Sequence, residues 1–244
     1  MKHPCAIAAL RVRGLAADGR NSAAPQAADG NDFLVWQLID SAFPTGGFAH
    51  SFGLEAAWQH GQVRNGGDLT AFAEASLQQA GQAALPFVNA AFAEPAKLPK
   101  LDRLCDAFTT NHVANRASRA QGQAFLIALE RVFGLALPNG TSRPPFFHFA
   151  PAFGAGLRSL DLAWPTVGRM FFFNHLRGVL AAAMRLNIVG PMEAHQLQRR
   201  LAPAAELARQ KCSALSLDDL AQTAPLLDLW QGAQDRLYSR LFQS

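Results

Sequence analysis

The stretch Pro165–Asn187, PTVGRMFFFNHLRGVLAAAMRLN, decides the fold class. Pro165 suits the first turn of a helix, where its missing N–H loses no partner and its fixed φ is already helical. Beyond it Phe172, Leu176, Val179, Leu180, Ala183 and Leu186 recur at steps of three and four, the stripe of a helix and not the alternation of a strand. Gly190-Pro191 separates this helix from another over Met192–Cys212, kinked near Pro203. The whole chain has the same bias: its 244 residues include 46 Ala and 32 Leu against 9 Val and 4 Ile. Ala and Leu favour helices and β-branched residues favour sheets, which argues against an all-β fold and against a parallel sheet rich in Val and Ile. The expected fold is all-α, a single globular helical-bundle domain of roughly eight to ten helices over 32–244, with a flexible N-terminal extension at 1–31.

Upstream, Asp32 is expected to cap a helix over Phe33–Asp40, and Ser41–His50 breaks it with Pro44 and Gly46-Gly47. Ser51 is expected to cap Phe52–His60, which Gly61 stops. Asp68 opens Leu69–Leu85, ended before Pro86, and Phe87–Glu94 closes at Pro95. Leu101–Thr110 and Asn111–Phe133 read as helices, Pro138-Asn139-Gly140 as a turn, and Ser142–Gly156 as a loop that becomes helical after Pro151. Ser216 caps Leu217–Gln222, and Pro225 starts a last helix whose stripe is Trp230, Ala233, Leu237 and Leu241. Residues 14–30 hold Leu15 as their one large apolar side chain, too little burial to offset ordering entropy.

Charged residues make up 16% of the chain, below the roughly 25% of an ordinary soluble domain, so part of the surface is suited to partners. The net charge of +4 divides into +2 for 1–31 and +2 for the remainder, without the basic stripe that nucleic acid requires. The charge-free run Ala75–Ala93 carries Gln78, Gln79, Gln82, Pro86 and Asn89 and is too polar to span a membrane. Cys5, Cys105 and Cys212 form no CxxC, so a disulfide framework is not expected and a reducing cytoplasm is the default. The sequence lacks a P-loop, HExxH and GxSxG, and none of its histidines, at 3, 50, 60, 112, 148, 175 and 195, lies three or four from another. A small helical metal carrier or enzyme would therefore have to gather His50, His60, His112 and a carboxylate such as Glu55 through the fold.

The richest stretch is Gln37–Glu55, QLIDSAFPTGGFAHSFGLE: a helix, a Gly-rich turn and a second helix. It reads equally as an internal turn, with Gly46 and Gly47 supplying positive φ and Phe43, Phe48 and Phe52 packing, or as an exposed loop displaying Phe43, Thr45 and His50. Within it, DSAFPTGGFAHSFGLEAA (Asp40–Ala57) resembles the N-terminal signature of the UreF family of urease accessory proteins. TNHVANRASRAQ (Thr110–Gln121), RMFFFNHLRGVLAAAMRLNIVGPMEA (Arg169–Ala194) and RLYSRLFQS (Arg236–Ser244) resemble further family segments in the same order.

The resemblance implies a dimeric, all-α, non-enzymatic protein that joins a UreD/UreH-type protein and recruits the GTPase UreG to deliver nickel to apo-urease. GTP would belong to UreG, nickel would be the delivered ion, and no cofactor would be bound tightly. Three interaction surfaces are then candidates. One is the loop with its flanks: Ser41, Phe43, Pro44, Thr45, Gly46, Gly47, His50, Ser51 and Glu55. A second is the polar side of the long helix, where Asn174 and Arg185 lie roughly 60–80° from Arg177 and either face solvent or meet the GTPase. The third is the tail, where Tyr238, Arg240, Leu241 and Phe242 either dock locally or, as the family implies, insert into the UreD/UreH partner.

Overall fold

The computed structural model describes residues 31–135 and 143–244, and within them the chain is helical and has no strand. α1 spans Asp32–Ile39, α2 Leu54–Gln59, α3 Gly66–Gln79, α4 Leu85–Ala93 and α5 Leu98–Phe108. α6 spans His112–Phe133, α7 Phe149–Ser159, α8 Trp164–Arg185, α9 Pro191–Cys212 and α10 Pro225–Ala233. The all-α reading holds. The expected extension, apart from Asn31, and the turn Pro138-Asn139-Gly140 lie outside the described residues.

Two helices organise the core. α8 buries the stripe read from sequence, Phe172 to Leu186, with no member above 5% exposed, and it packs on α9 and α3. α7 is the central helix: every residue from Ala150 to Leu157 is buried, and α4, α5 and α6 surround it. A helix enclosed on all sides must be thin where backbones approach. At Gly154 a Cβ would lie 3.1 Å from Phe92 N and Val88 C of α4. The rings of Phe125, Phe149, Phe153, Phe171 and Phe172 link α6, α7 and α8, with centroid separations between 5.3 and 6.0 Å. The start of α7 is tied to α5 by Asp102, fully buried, whose carboxylate accepts from the backbone N–H groups of Phe146 (2.6 Å), Phe147 (3.1 Å) and His148 (2.7 Å).

Local differences from the sequence reading have identifiable causes. Asp32 lies in the first turn of α1 and does not cap it; the N-cap position is Asn31. Ser51 does not cap α2: its hydroxyl is buried without a partner among the described residues, and the chain enters α2 through left-handed Phe52 (φ 57°) and Gly53 (φ 82°). α3 begins at Gly66 because the Asn65 side chain accepts from Gly67 and Asp68 N–H. The expected stop before Pro86 is a passage instead. A π-helical turn, Ala80–Ala84, runs into α4, and the Gln82 carbonyl that Pro86 cannot serve accepts from Ala221 N (3.3 Å). α10 ends at Ala233, so Leu237 and Leu241 do not continue its stripe but belong to an irregular tail.

Candidate functional site

The three stretches singled out by sequence converge on one place. Gly53 permits the convergence. Its left-handed backbone turns the chain sharply, and a Cβ there would lie 2.9 Å from Gln231 N of α10, so α2 and α10 approach closely. That contact brings Glu55 under the tail. Glu55 is 2% exposed, and its carboxylate accepts from Leu241 N–H (2.6 Å), Phe242 N–H (3.1 Å) and Gln234 Nε2–H (2.6 Å). No cation faces this buried charge among the hydrogen bonds described, so three N–H donors solvate it.

The tail then runs along the loop. Gln243 N–H donates to the Ala49 carbonyl (2.9 Å), Ser51 N–H donates to the Ser244 carbonyl, and buried His50 shares a hydrogen bond through Nδ1 with the Ser244 hydroxyl. Phe242 is 4% exposed. The guanidinium of Arg185, on α8, lies between two rings, 4.3 Å from the centroid of Phe48 and 4.2 Å from that of Phe242, and donates to the Phe48 carbonyl. Arg177, two turns earlier, donates to the Ile39 carbonyl at the end of α1. Burial lowers the Arg177 pKa from its ordinary value, against the opposing charge of Asp40. A second knot lies below: Asp235 binds Arg116 (2.8 Å), Arg240 (3.0 Å) and His112 (3.2 Å), and its carboxyl titrates below the usual range, first through the Arg116 hydrogen bond.

The sequence reading is corrected at several of these residues. Phe43 and His50 are not displayed: Phe43 packs 6.2 Å from Phe133 with 8% exposure, and His50 is under the tail. The loop exposes Ser41, Pro44, Gly46 and Phe48, with Thr45 and Gly47 half-buried. Arg177 and Arg185 are not a free cationic face: Arg177 holds the end of α1 to α8, and Arg185 holds the loop to it at Phe48. Asn174 is half-buried with its Oδ1 unpartnered among the described residues. In the tail, Phe242 fills this chain's own core, Arg240 pairs with Asp235, Leu241 is 51% exposed and Tyr238 is fully exposed. His60 stacks on Trp230 (5.4 Å), so His50, His60, His112 and Glu55 face four different partners and form no cluster.

Sequence reasoning missed two partners, Phe48 as the outer ring on Arg185 and Gln234 as a donor to Glu55. Arg185 and Phe48 are the residue types of a stacked pair, because guanidinium groups stack on aromatic faces, but nothing in the linear sequence pairs them. Between the loop, α6 and α8 lies a groove of about 700 Å³ whose walls include Phe43, Ala117, Ser118, Phe149, Asn174 and His175.

Two histidines here make the fold sensitive to acid. Burial first, then the Arg116 charge, lowers His50 to about 4, and burial lowers His175 to about 4 despite its bond to Ser76. Both are depressed bases, so between about 6.5 and 4 the unfolded chain binds more protons and stability falls as pH falls. Going from pH 7.5 to 5.5 is expected to remove roughly 1 kcal/mol per histidine. Urea melts at the two pH values check this, and His175→Gln should flatten the dependence.

Comparison with known proteins gives a consistent set of relatives. The UreF family model matches residues 63–202, which takes in α3 to α8 and the first half of α9 and leaves out the loop and the tail. "Urease accessory protein F" of Oryza sativa subsp. indica is 42% identical over 218 residues, covering 85% of this chain and 83% of that protein. The protein of the same name in Arabidopsis thaliana is 42% identical over 219 residues, covering 86% and 91%. A "UreF-like" urease accessory protein of Schizosaccharomyces pombe is 28% identical over 226 residues, covering 85% and 94%.

Proposed function

The chain belongs to the UreF family of urease accessory proteins, and on that premise we propose that it works as a scaffold: its loop and tail form a docking surface for other maturation factors. The partners in this reading are a second copy of the chain, a UreD/UreH-type protein, the GTPase UreG and, through them, apo-urease. Nickel is the cargo of the assembly, GTP stays with UreG, no cofactor is held tightly by this chain, and the compartment is the cytoplasm.

One observation carries the proposal. The tail is pinned from below by Glu55 and Arg185, yet it turns Tyr238 fully outward and Leu241 half outward, beside Phe48 at 65% exposure. Gln59 of α2 donates to the Ser239 carbonyl (2.9 Å), which fixes the backbone between Tyr238 and Leu241. Large apolar side chains on a rigid backbone lose little entropy on binding, and aromatic anchors of this kind dominate protein interfaces. His50, His60 and His112 support the scaffold over a metal carrier, since each meets a different partner. Among the described residues no helix is long and apolar enough to cross a membrane.

Co-expression with UreD/UreH-type and UreG proteins tests the function. The expected result is a stable complex recovered by affinity purification through this chain, and urease activity restored in a cell that lacks its own UreF. Recovery of the chain alone, with urease left inactive, would refute the proposal.

A further inference from the structure

The groove between α6 and α8 is open because both helices carry small side chains there: Ala114, Ala117 and Ser118 on one side, Gly178, Ala181 and Ala182 on the other. Its volume of about 700 Å³ is that of a ligand pocket. Two side-chain amides are left over on its walls. Gln121 of α6 is 9% exposed and Asn174 of α8 is half-buried, and neither amide has a hydrogen-bond partner among the described residues. Buried amides in folded proteins are normally paired, so two unpaired ones on one groove suit a ligand that both donates and accepts. α8 adds charge. Asn174, Arg177, Ala181 and Arg185 recur at steps of three and four and line the groove together. Arg177 and Arg185 each give one N–H to a backbone carbonyl, out of the five that a guanidinium carries, and neither is ion-paired among the described residues. Asp228 of α10 is the one acidic residue on the groove wall among the described residues, so the wall is net positive.

We propose that this groove binds a five-residue stretch of extended polypeptide from another protein, with acidic side chains at its first and fifth positions and large apolar ones at its second and fourth. Side-chain amides such as Gln121 and Asn174 pair with main-chain N–H and C=O groups, which an extended chain offers and a helix keeps for itself. Arg177 and Arg185 are eight residues apart, about 12 Å along the axis of α8. Positions one and five of an extended chain lie on one side of it, about 13 Å apart, so two carboxylates at those positions meet the two guanidinium groups. Position three lies between them, over Gly178 and Ala181, and has room for a small side chain. Positions two and four point the other way, to the wall that Phe108 of α5 and Phe149 of α7 make apolar. A basic segment would meet two cations there, and a wholly apolar ligand would leave both amides unpaired. The site is separate from the Tyr238–Leu241 ridge and does not depend on the scaffold reading.

The full chain alone is titrated with acetyl-Asp-Leu-Ala-Leu-Asp-amide and with the same peptide carrying Lys in place of both Asp, and binding is read by calorimetry and by the side-chain amide resonances of Gln121 and Asn174. The acidic peptide should bind at least about tenfold tighter than the basic one and should shift both amides. Ala181→Leu fills the groove from a half-buried position on α8 and should weaken the acidic peptide at least about tenfold, with the melting temperature and the oligomeric state unchanged. Gln121→Leu, which removes one amide and keeps its bulk, should weaken it as well and serves if Ala181→Leu fails to fold. Equal affinity for the two peptides would overturn the proposal, and so would a folded variant that binds like wild type. Self-association lost in Ala181→Leu would assign the groove to a second copy, and decanoate binding as tightly as the acidic peptide would assign it to a lipid; either result overturns the proposal.

Discussion

Glu55→Ala is expected to detach the C-terminal segment while the helical core stays folded. Two backbone N–H groups and the Gln234 amide lose their acceptor together, at Leu241 and Phe242 in the tail and at the end of α10. Buried donors left unpaired cost about 1–3 kcal/mol each, so the segment should be released by a change on the order of 3 kcal/mol or more. Hydrogen exchange reads this directly: the amides of Leu241, Phe242 and Gln243 should lose protection, and those of α7 and α8 should keep it. Glu55→Gln keeps an acceptor oxygen and should have a much smaller effect. Because Phe242 and Arg185 stack against each other, detachment should also loosen Phe48 in the loop, giving a second region of lost protection at Gly47–Ala49.

Gly122→Ala is expected to have the largest effect on stability of any single methyl addition described here. On α6 a Cβ at 122 would overlap the Phe147 carbonyl oxygen and lie 2.7 Å from His148 C and Phe149 N. These are backbone atoms, held by Asp102, so no side-chain rotation relieves the clash. The loss should be about 4 kcal/mol or more, and it should appear as a lowered urea midpoint or as failure to accumulate in soluble form. Gly190→Ala is the matched control: nothing lies within 4 Å of its Cβ position, and its backbone is extended, so the change should stay below about 1 kcal/mol.

The fold class was legible because helix periodicity is local. The α8 stripe, Pro165 in its first turn, and Gly61 just past α2 depend on neighbours in sequence. The misread features depend on distant ones. Pro86 reads as a stop unless Ala221 is known to take the freed carbonyl. Ser51 reads as a cap unless Gly53 is known to be pressed against α10. The same division applies to the candidate site. Sequence marked the loop, the Arg pair and the tail as separate surfaces, and nothing in a linear reading says that Arg185 sits between Phe48 and Phe242. Their union also changes the role of the two arginines, which become internal braces, and moves the outward-facing chemistry to Tyr238, Leu241 and Phe48.

The scaffold account therefore rests on those outward side chains. Tyr238→Ala with Leu241→Ala leaves the Glu55 and Arg185 contacts in place, because Leu241 engages Glu55 through its backbone and Tyr238 touches neither. The decisive measurement is co-purification of this double variant with the UreD/UreH-type protein, alongside its melting temperature. The account predicts an unchanged melt and at least about a tenfold loss of captured partner, as hot-spot anchors require. A double variant that melts like wild type and captures the partner as well as wild type would contradict it.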